Sequence, residues 1–236
     1  MLALANSGTL EVWRISVAAT PITMLSTLLS EDESERAARF VFDRDRNQFI
    51  AVRGRLRQLL GRYLDRPPRD IDFWLGPRGK PILAGGGDLH FNVSHSGDVG
   101  LLAFRRGGAI GVDVEQVNAR VAIEELAGSC FSSAERSAMR QLDDHARIDR
   151  FFQLWAAKEA YIKALGGGLS VPLQEFTVDV RSDALRWSVA TFARPGELPW
   201  SVMPVPVAAG YFGAVAARGI EWRVDIGDLS PIEHLI

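Results

Sequence analysis

The sequence predicts a mixed α/β fold made of two similar halves. Three observations lead to this prediction: segments with apolar residues at helical spacing, short strand-like runs, and a faint internal similarity. LLAFRRGGAIGVDVE in the first half resembles GAVAARGIEWRVDI in the second, because both read as a strand, an Arg-Gly turn and another strand. A similarity this short can also arise by chance. A true repeat implies two related α/β halves with a ligand-binding cleft between them.

The first half begins with a strand and continues with helices. Residues 10–17, LEVWRISV, have the composition of a strand. Ser30 and the acids after it predict a helix start, and helical spacing continues through residues 36–63, as one or two helices, until Pro67 and Pro68. GPRGKP then forms a basic loop, and SHSGD separates the strand-like runs HFNV and VGLLAF.

The second half has the same mixture of elements. GAIGVDVEQV, residues 108–117, predicts a strand, and residues 123–141 predict a helical stretch. A further helix begins near Phe151 and ends at glycines 166–168. Four strand-like runs complete the chain, namely FTVDV, LRWSVATF, YFGAVAA and IEWRV.

Length and composition indicate an ordinary globular protein. The chain has 236 residues, of which 47% are hydrophobic and 24% charged, enough for one large or two small domains. Its single cysteine, Cys130, excludes an intrachain disulfide and an all-cysteine metal site. The N-terminus MLALANSG lacks the features of a signal peptide, and the longest weakly polar run, residues 205–217, is too short for a membrane span. We therefore expect a cytoplasmic protein without a membrane partner.

The net charge of -2 conceals a basic stretch between residues 36 and 66. Arginines outnumber aspartates in this stretch. The arginines are Arg36, Arg39, Arg44, Arg46, Arg53, Arg55, Arg57, Arg62 and Arg66. Nucleic-acid binders usually carry their basic excess across the whole domain, which makes nucleic acid a weaker candidate without excluding it. An anionic cofactor or an acidic protein partner fits such a face equally well.

The strand GVDVE carries two acids on one face. Strand periodicity sends Gly111, Asp113 and Glu115 to the same side. The Cα atoms of the two acids then lie about 7 Å apart, and their charges repel unless a cation or solvent intervenes. Carboxylates without histidine or cysteine ligands favour Mg²⁺ or Mn²⁺ over zinc. A solvated edge strand with alternating acids is the alternative interpretation.

A second acid-bearing segment is the helix FFQLWAAKEAYIKALGGGL. Phe151, Trp155, Glu159 and Lys163 form one stripe, because residues four apart stack on a helix. In most helices a Glu–Lys pair at this spacing is a solvated surface pair. Here the aromatic neighbours indicate that the stripe faces a core or a cleft, where a carboxylate needs a partner. Glu159 can therefore complete a ligand set with the two acids of GVDVE.

Phosphate-binding residues are expected near such a site, because Mg²⁺ usually binds a substrate phosphate together with one or two carboxylates. The candidates are Arg78, Lys80, Ser94, His95 and Lys163. Considered alone, Lys80 is more typical of a solvated loop, and His95 of a local turn hydrogen bond.

Three motifs in this order, SHS (residues 94–96), GVDVE (111–115) and WAAKEAYIKALG (155–166), resemble the 4′-phosphopantetheinyl transferase superfamily. RAARF, the Arg-rich helix and GKP are similar to its surfactin-type (Sfp-like) branch. The resemblance covers roughly residues 29–176. It implies a monomer that is a pseudo-dimer of two α/β halves, residues 1–108 and 109–236, with the active site in the cleft between them.

The resemblance also implies an activity. Members transfer 4′-phosphopantetheine from coenzyme A to a serine of an apo acyl or peptidyl carrier protein, and they release adenosine 3′,5′-bisphosphate. Such carriers serve fatty acid, polyketide and nonribosomal peptide biosynthesis. Nucleic acid and membranes are not among the partners that the resemblance implies.

The same resemblance assigns roles to residues of this chain. Asp113, Glu115 and Glu159 would bind Mg²⁺, and Glu159 or a metal-bound hydroxide would accept the serine proton. Lys163 would neutralise the leaving phosphate. The residues expected to bind coenzyme A are Arg36, Arg53, Arg78, Lys80, Ser94, His95, Asp113 and Lys163. Glu33 stands where some relatives have a basic residue, which leaves the 3′-phosphate contacts open.

Two other functions use the same residues. A Mg²⁺-dependent nucleotide or nucleic-acid hydrolase could use the acidic triad and would need no carrier protein. A non-catalytic module could bind coenzyme A without transferring it, although Glu159 and Lys163 argue against this.

Overall fold

The computed structural model of the protein describes residues 8–76, 80–85, 87–118, 120–167, 171–180, 187–190 and 198–229, and it confirms the mixed α/β class. The helices are α1 (Ile22–Ser26), α2 (Glu31–Ala38), α3 (Asp43–Leu64), α4 (Ile123–Cys130), α5 (Ser133–Met139) and α6 (Asp144–Leu165). The strands are β1 (Thr9–Ser16), β2 (Phe73–Leu75), β3 (Pro81–Leu83), β4 (Leu89–Ser96), β5 (Val99–Arg106), β6 (Ile110–Gln116), β7 (Thr177–Asp179), β8 (Trp187–Ala190), β9 (Trp200–Val205), β10 (Tyr211–Arg218) and β11 (Arg223–Asp228).

The chain forms two compact units. One comprises Met1–Gly107 with Arg223–Ile236, and the other comprises Gly108–Trp222. The sequence-based boundary, between residues 108 and 109, differs from this division at the C-terminus. Strand β11 pairs in parallel with β1, so its residues lie in the sheet of the first unit, although the sequence placed them in the second half.

The first unit is a four-stranded sheet in the order β11-β1-β5-β4, with a separate two-stranded ribbon of β2 and β3. Its longest helix, α3, spans 22 residues. Leu56 and Leu60 of α3 pack in one apolar cluster with Leu102 and Phe104 of β5. The helical region predicted over residues 36–63 is therefore two helices, since α2 ends at Ala38.

The second unit is a five-stranded sheet in the order β6-β10-β9-β8-β7. Its longest helix, α6, also spans 22 residues. Small residues line the contact between helix and sheet, among them Ala157 and Ala160 of α6 and Ala214 and Ala216 of β10, all fully buried. In the described residues, each unit thus combines a main sheet of four or five strands with one long helix.

Helix ends in the second unit differ partly from the sequence prediction. Helix α6 begins at Asp144 rather than near Phe151, because the Asp143 side chain accepts a hydrogen bond from Ala146 N at 2.8 Å and caps it. It ends before Gly166, whose φ of 69° suits a glycine, as predicted. The helical stretch predicted over residues 123–141 is divided in two, since a capping box at Ser132 starts α5.

The two similar sequence segments have matching positions in the topology. Strands β5 and β6 form the first segment, and β10 and β11 form the second. In each segment the first strand belongs to one sheet and the second strand to the other. Among the helices of the described ranges, none is both long and apolar enough to cross a membrane.

Candidate active site

Strand β6 presents its two acids to helix α6. A Cβ atom on Gly111 would overlap with backbone atoms of Ala160 and Ala164, so this strand position lies directly against the helix. Alternate residues of a strand share a face, and Asp113 and Glu115 therefore point to the same side. The Asp113 side chain is only 3% exposed, which excludes the solvated edge strand as its environment.

Helix α6 places two donors against these acids. Lys163 Nζ lies 2.5 Å from Asp113 Oδ1. Trp155 Nε1 donates a hydrogen bond to Glu115 Oε1 at 3.1 Å. Glu159 lies on the helix one turn from each donor. The structure therefore brings together the four residues predicted from the two sequence motifs, which are Asp113, Glu115, Glu159 and Lys163.

Mutual repulsion and burial determine the protonation of this cluster. Burial, and then the charge of Asp113, raise the pKa of Glu115 to about 7, while Trp155 and Lys163 act in the opposite direction. Burial followed by Asp113 also raises the pKa of Glu159, and Lys163 again opposes the shift. Two carboxyl groups of the cluster thus hold their protons more tightly than they would in water.

The chemistry of these donors fits a hard divalent cation. Three carboxylates supply only oxygen atoms, and their repulsion is what a cation would relieve. Within the described ranges, however, no group of three acidic, histidine or cysteine side chains already has the positions of a metal site. Lys163 provides a positive charge at Asp113 in this arrangement. The chemical type and the charge of these side chains therefore match a divalent cation, whereas their positions are not those of a formed metal site.

The aromatic residues of the stripe anchor the helix in its core. Phe151 is 2% exposed, and its ring lies 5.2 Å from the rings of both Phe131 and Phe152. The Trp155 ring stacks on Phe151 with 6.0 Å between centroids and 16° between planes. The stripe is thus buried at Phe151 and half-buried at Trp155, Glu159 and Lys163.

Lys158, next to Glu159, has a structural role that the sequence did not indicate. Its Nζ lies 2.9 Å from Glu135 Oε2 and donates to the carbonyl oxygens of Leu173 at 2.7 Å and Phe176 at 2.8 Å. Burial lowers the pKa of this lysine, and Glu135 opposes that effect. Lys158 therefore ties α6 to α5 and to the segment after the glycines. Nothing in the sequence around Lys158 distinguishes it from a lysine on the surface.

Several residues predicted to bind the cofactor lie in the first unit. Ser94 is buried on β4, and His95 is exposed on the same strand. Lys80 is half-buried immediately before β3. Arg78 lies outside the described residues. For these positions the cofactor role stays a prediction.

Two arginines with the same predicted role contact aromatic rings. The Arg36 guanidinium lies 5.1 Å from the centre of the Phe49 ring. Arg53 lies 5.0 Å from the Phe73 ring, and its Nε is 3.5 Å from Glu33 Oε1. The Arg53 side chain is only 18% exposed. Its contact with Glu33 already compensates part of its positive charge.

The basic stretch does not form a continuous solvent-facing surface. Arg55 is fully buried, and Arg57 is 2% exposed. Arg57 Nε lies 2.5 Å from Glu33 Oε2, and its Nη1 donates to the carbonyl oxygens of Pro68 and Ile71. Arg55 and Arg57 are therefore not part of the expected basic face, whereas binding of an acidic partner by the exposed arginines of this stretch stays a prediction. Glu33 of the preceding helix, α2, holds Arg57 of α3 inside the fold.

Comparison with known families covers both units. Residues 109–212 match the family model described as the 4′-phosphopantetheinyl transferase superfamily. Residues 13–106 match the model described as 4′-phosphopantetheinyl transferase, N-terminal. The two matched regions meet near residue 107, where the structure divides its units.

Individual relatives span nearly the whole chain. The 4′-phosphopantetheinyl transferase HetI of Nostoc sp. is 34% identical over 229 residues, which are 92% of this chain and 91% of HetI. The 4′-phosphopantetheinyl transferase Sfp of Bacillus subtilis is 31% identical over 209 residues, with coverage of 89% and 91%. A holo-(acyl-carrier-protein) synthase structure from Bacillus anthracis aligns with 48% of this chain and with 96% of the synthase chain, at 20% identity. Its TM-score is 0.40, and no conclusion about this chain is based on it. The hydrolase alternative has no support among these relatives.

Proposed function

This chain belongs to the 4′-phosphopantetheinyl transferase superfamily and is an enzyme of that class, and we propose that it transfers 4′-phosphopantetheine from coenzyme A to a serine of an apo acyl or peptidyl carrier protein. In this reaction the serine oxygen forms a bond to the phosphorus that carries pantetheine. The bond from that phosphorus to the bridging oxygen breaks, and adenosine 3′,5′-bisphosphate leaves. The observation that carries the proposal is the cluster of Asp113, Glu115, Glu159 and Lys163 between β6 and α6.

The proposed metal is Mg²⁺, and the residues that would hold it are Asp113, Glu115 and Glu159. When bound, it would neutralise charge on the pyrophosphate of coenzyme A. The support for this assignment is the donor set: three carboxylates close enough for Asp113 to raise the pKa of the other two. Phosphoryl-group transfer depends mainly on positioning and on charge neutralisation, which such a set is suited to provide.

Lys163 is the proposed partner of the leaving phosphate. Its ammonium group has three donors, and one of them can stay on Asp113 while the others reach a phosphate oxygen. Because its side chain is 29% exposed, the ammonium is accessible to a ligand. It can offset the negative charge that grows on the bridging oxygen as the bond breaks, and it can donate a proton there.

Glu159 is the proposed acceptor of the serine proton. Burial and Asp113 raise the pKa of Glu159 in the metal-free protein, but Lys163 opposes that shift and a bound cation would oppose it too, so the assignment rests on the position of this carboxylate beside the proposed metal and not on its pKa. Its half-buried position leaves it accessible to a carrier serine. Proton transfer to a positioned side chain typically contributes about 10²–10⁴-fold to a rate.

Residues of the first unit are the proposed contacts to the phosphates of coenzyme A. Lys80, Ser94 and His95 carry the donors for this role, with Arg36 as a further exposed cation. Arg53 is a weaker candidate, since Glu33 and the Phe73 ring already hold its guanidinium.

A mass-shift assay tests the proposal. The protein is incubated with Mg²⁺, coenzyme A and a panel of apo carriers from fatty acid, polyketide and peptide synthases, and the mass of each carrier is measured. We expect a gain of one phosphopantetheine on at least one carrier, with one adenosine 3′,5′-bisphosphate released for each transfer. Omission of Mg²⁺, or replacement of the carrier serine by alanine, should remove the gain. A panel without any mass gain would contradict the proposal.

A further inference from the structure

Trp155 touches the acid cluster directly, although the proposed function gives it no role. Its Nε1 donates to Glu115 Oε1 at 3.1 Å, across elements 40 residues apart in sequence. The indole N–H is a donor only, so a carboxylate is a matched acceptor for it. This hydrogen bond joins the aromatic end of the α6 stripe to strand β6.

The indole ring is restricted in its orientation. It stacks on Phe151 at 6.0 Å and 16°, and Phe151 is 2% exposed between Phe131 and Phe152. Trp155 is itself half-buried, and its stacking on a buried ring restricts how far the indole can turn. The core of the second unit therefore restricts the direction of the Trp155 N–H.

A donor with a restricted direction orients the acid that it contacts. Glu115 is half-buried and has several rotatable bonds, so its carboxylate can take more than one orientation unless a contact selects one. One hydrogen bond to Oε1 restricts the rotation of the carboxylate plane, and Oε2 can then face a cation in a defined direction. In metal sites, groups that orient the ligands in this way typically contribute about 10–100-fold to metal affinity or activity.

We propose that Trp155 is a positioning residue that orients Glu115 toward the divalent cation, an inference that rests on the proposed function of the acid cluster. Trp155 thereby acts through Glu115 rather than on the substrate. Simple core packing would require only the ring, whereas this role requires the N–H. The two can be separated by a substitution that keeps an aromatic ring and removes the donor.

The test compares Trp155→Phe with a matched variant, Trp200→Phe. Trp200 is a buried tryptophan that packs on Tyr161 of the same helix, with 5.4 Å between ring centroids. Mn²⁺ binding is measured by paramagnetic resonance with and without coenzyme A, and the Mg²⁺ dependence of transfer is measured in parallel. We expect Trp155→Phe to bind Mn²⁺ about 10–100-fold more weakly and to need more Mg²⁺, with the metal-free affinity for coenzyme A unchanged.

Each outcome decides the proposal. Metal binding that is weakened in Trp155→Phe but normal in Trp200→Phe supports it. Normal metal binding in Trp155→Phe, or an equal loss in both variants, overturns it while leaving the proposed function intact. If the wild-type protein binds no divalent cation, the role of Trp155 is overturned together with the metal part of the proposed function.

Discussion

Lys163 Nζ lies 2.5 Å from Asp113 Oδ1 and joins two elements whose residues are 50 positions apart in sequence. The Asp113 side chain is 3% exposed, whereas that of Lys163 is 29% exposed. A buried carboxylate is costly without a nearby positive charge, so this ammonium compensates Asp113 in the metal-free protein. The same lysine is the proposed partner of the leaving phosphate, and its two roles lead to the first prediction.

Lys163→Met should destabilise the metal-free protein by about 1–3 kcal/mol, because it removes the ammonium that lies 2.5 Å from a buried carboxylate oxygen. Mg²⁺ should recover more stability in this variant than in the wild type, since a cation can replace the lost ammonium at Asp113. Urea unfolding with and without Mg²⁺ measures both effects. An equal response to Mg²⁺ in the two proteins would contradict the idea that the ammonium and the cation serve the same carboxylate.

Glu159→Gln should lower the transfer rate by about 10²–10⁴-fold, because an amide cannot accept the serine proton. The melting curve should change little, since the side chain is half-buried and keeps its size. Initial rates from the carrier mass shift measure the loss. Glu175→Gln, at an exposed position in the same unit, serves as the control and should keep full activity. Substantial activity of Glu159→Gln would remove this residue from the proton transfer.

The metal-free protein should become less stable as the pH rises from about 5 to 8. Burial and Asp113 raise the pKa of Glu115 from 4.5 to about 7, so the folded state holds a proton that the unfolded state releases at lower pH. Stability from this group is complete below pH 4.5 and is lost as the pH passes through 7. The raised pKa of Glu159 acts with the same sign.

Thermal melts across this pH range, for the wild type and Glu115→Gln, measure the effect. The variant should show a shallower decline, because it has no proton to lose at this position. Identical pH profiles would show that Glu115 is not the group that titrates.

Gly111→Ala should separate α6 from β6. A methyl group at this position would overlap with backbone atoms of Ala160 and Ala164, and backbone cannot move aside as a side chain can. Overpacking of this kind costs about 1–3 kcal/mol, and we expect more than a tenfold loss of transfer because Glu159 and Asp113 lie on the two displaced elements. Gly128→Ala in α4 is the control, since a Cβ there has nothing within 4 Å. Its stability should be unchanged or raised by up to about 1 kcal/mol.

Lys158→Met should destabilise the fold by about 3–5 kcal/mol, because it leaves Glu135 as a buried charge without its lysine. Urea unfolding measures this loss. Lys163→Met is the matched comparison, since both lysines lie on α6 and only Lys158 is 1% exposed. A smaller loss at Lys158 than at Lys163 would contradict the structural role of Lys158.

Local spacing rules account for the residues of the candidate site that the sequence could nominate. Alternation along β6 places Asp113 and Glu115 on one face, and the four-residue spacing on α6 places Glu159 and Lys163 on another. Both rules depend only on backbone geometry. These rules do not predict which residue of β6 contacts which residue of α6. The pairs Lys163–Asp113 and Trp155–Glu115 are determined by the packing of the helix on the strand.

The failures of sequence reasoning also have a common physical cause. Arg55 and Arg57 belong to a basic stretch, yet both are buried, and Glu33 holds Arg57 from another helix. Lys158 stands beside Glu159 in the motif but faces Glu135 in the core. A charged side chain can be buried when a distant partner compensates it, and a single sequence does not reveal that partner.

Sequence alone determined the α/β class, the order of most elements, the family resemblance and the acids and lysine of the candidate site. These features follow from periodicity, turn residues and motif spacing, which are local properties of the chain. Tertiary structure decided that β11 joins the sheet of the first unit and that Lys163 compensates Asp113. It also decided that α6 packs directly on β6 at Gly111, where a side chain would overlap with the helix backbone. Those features depend on contacts between residues far apart in sequence, where burial and charge compensation are determined by the whole fold.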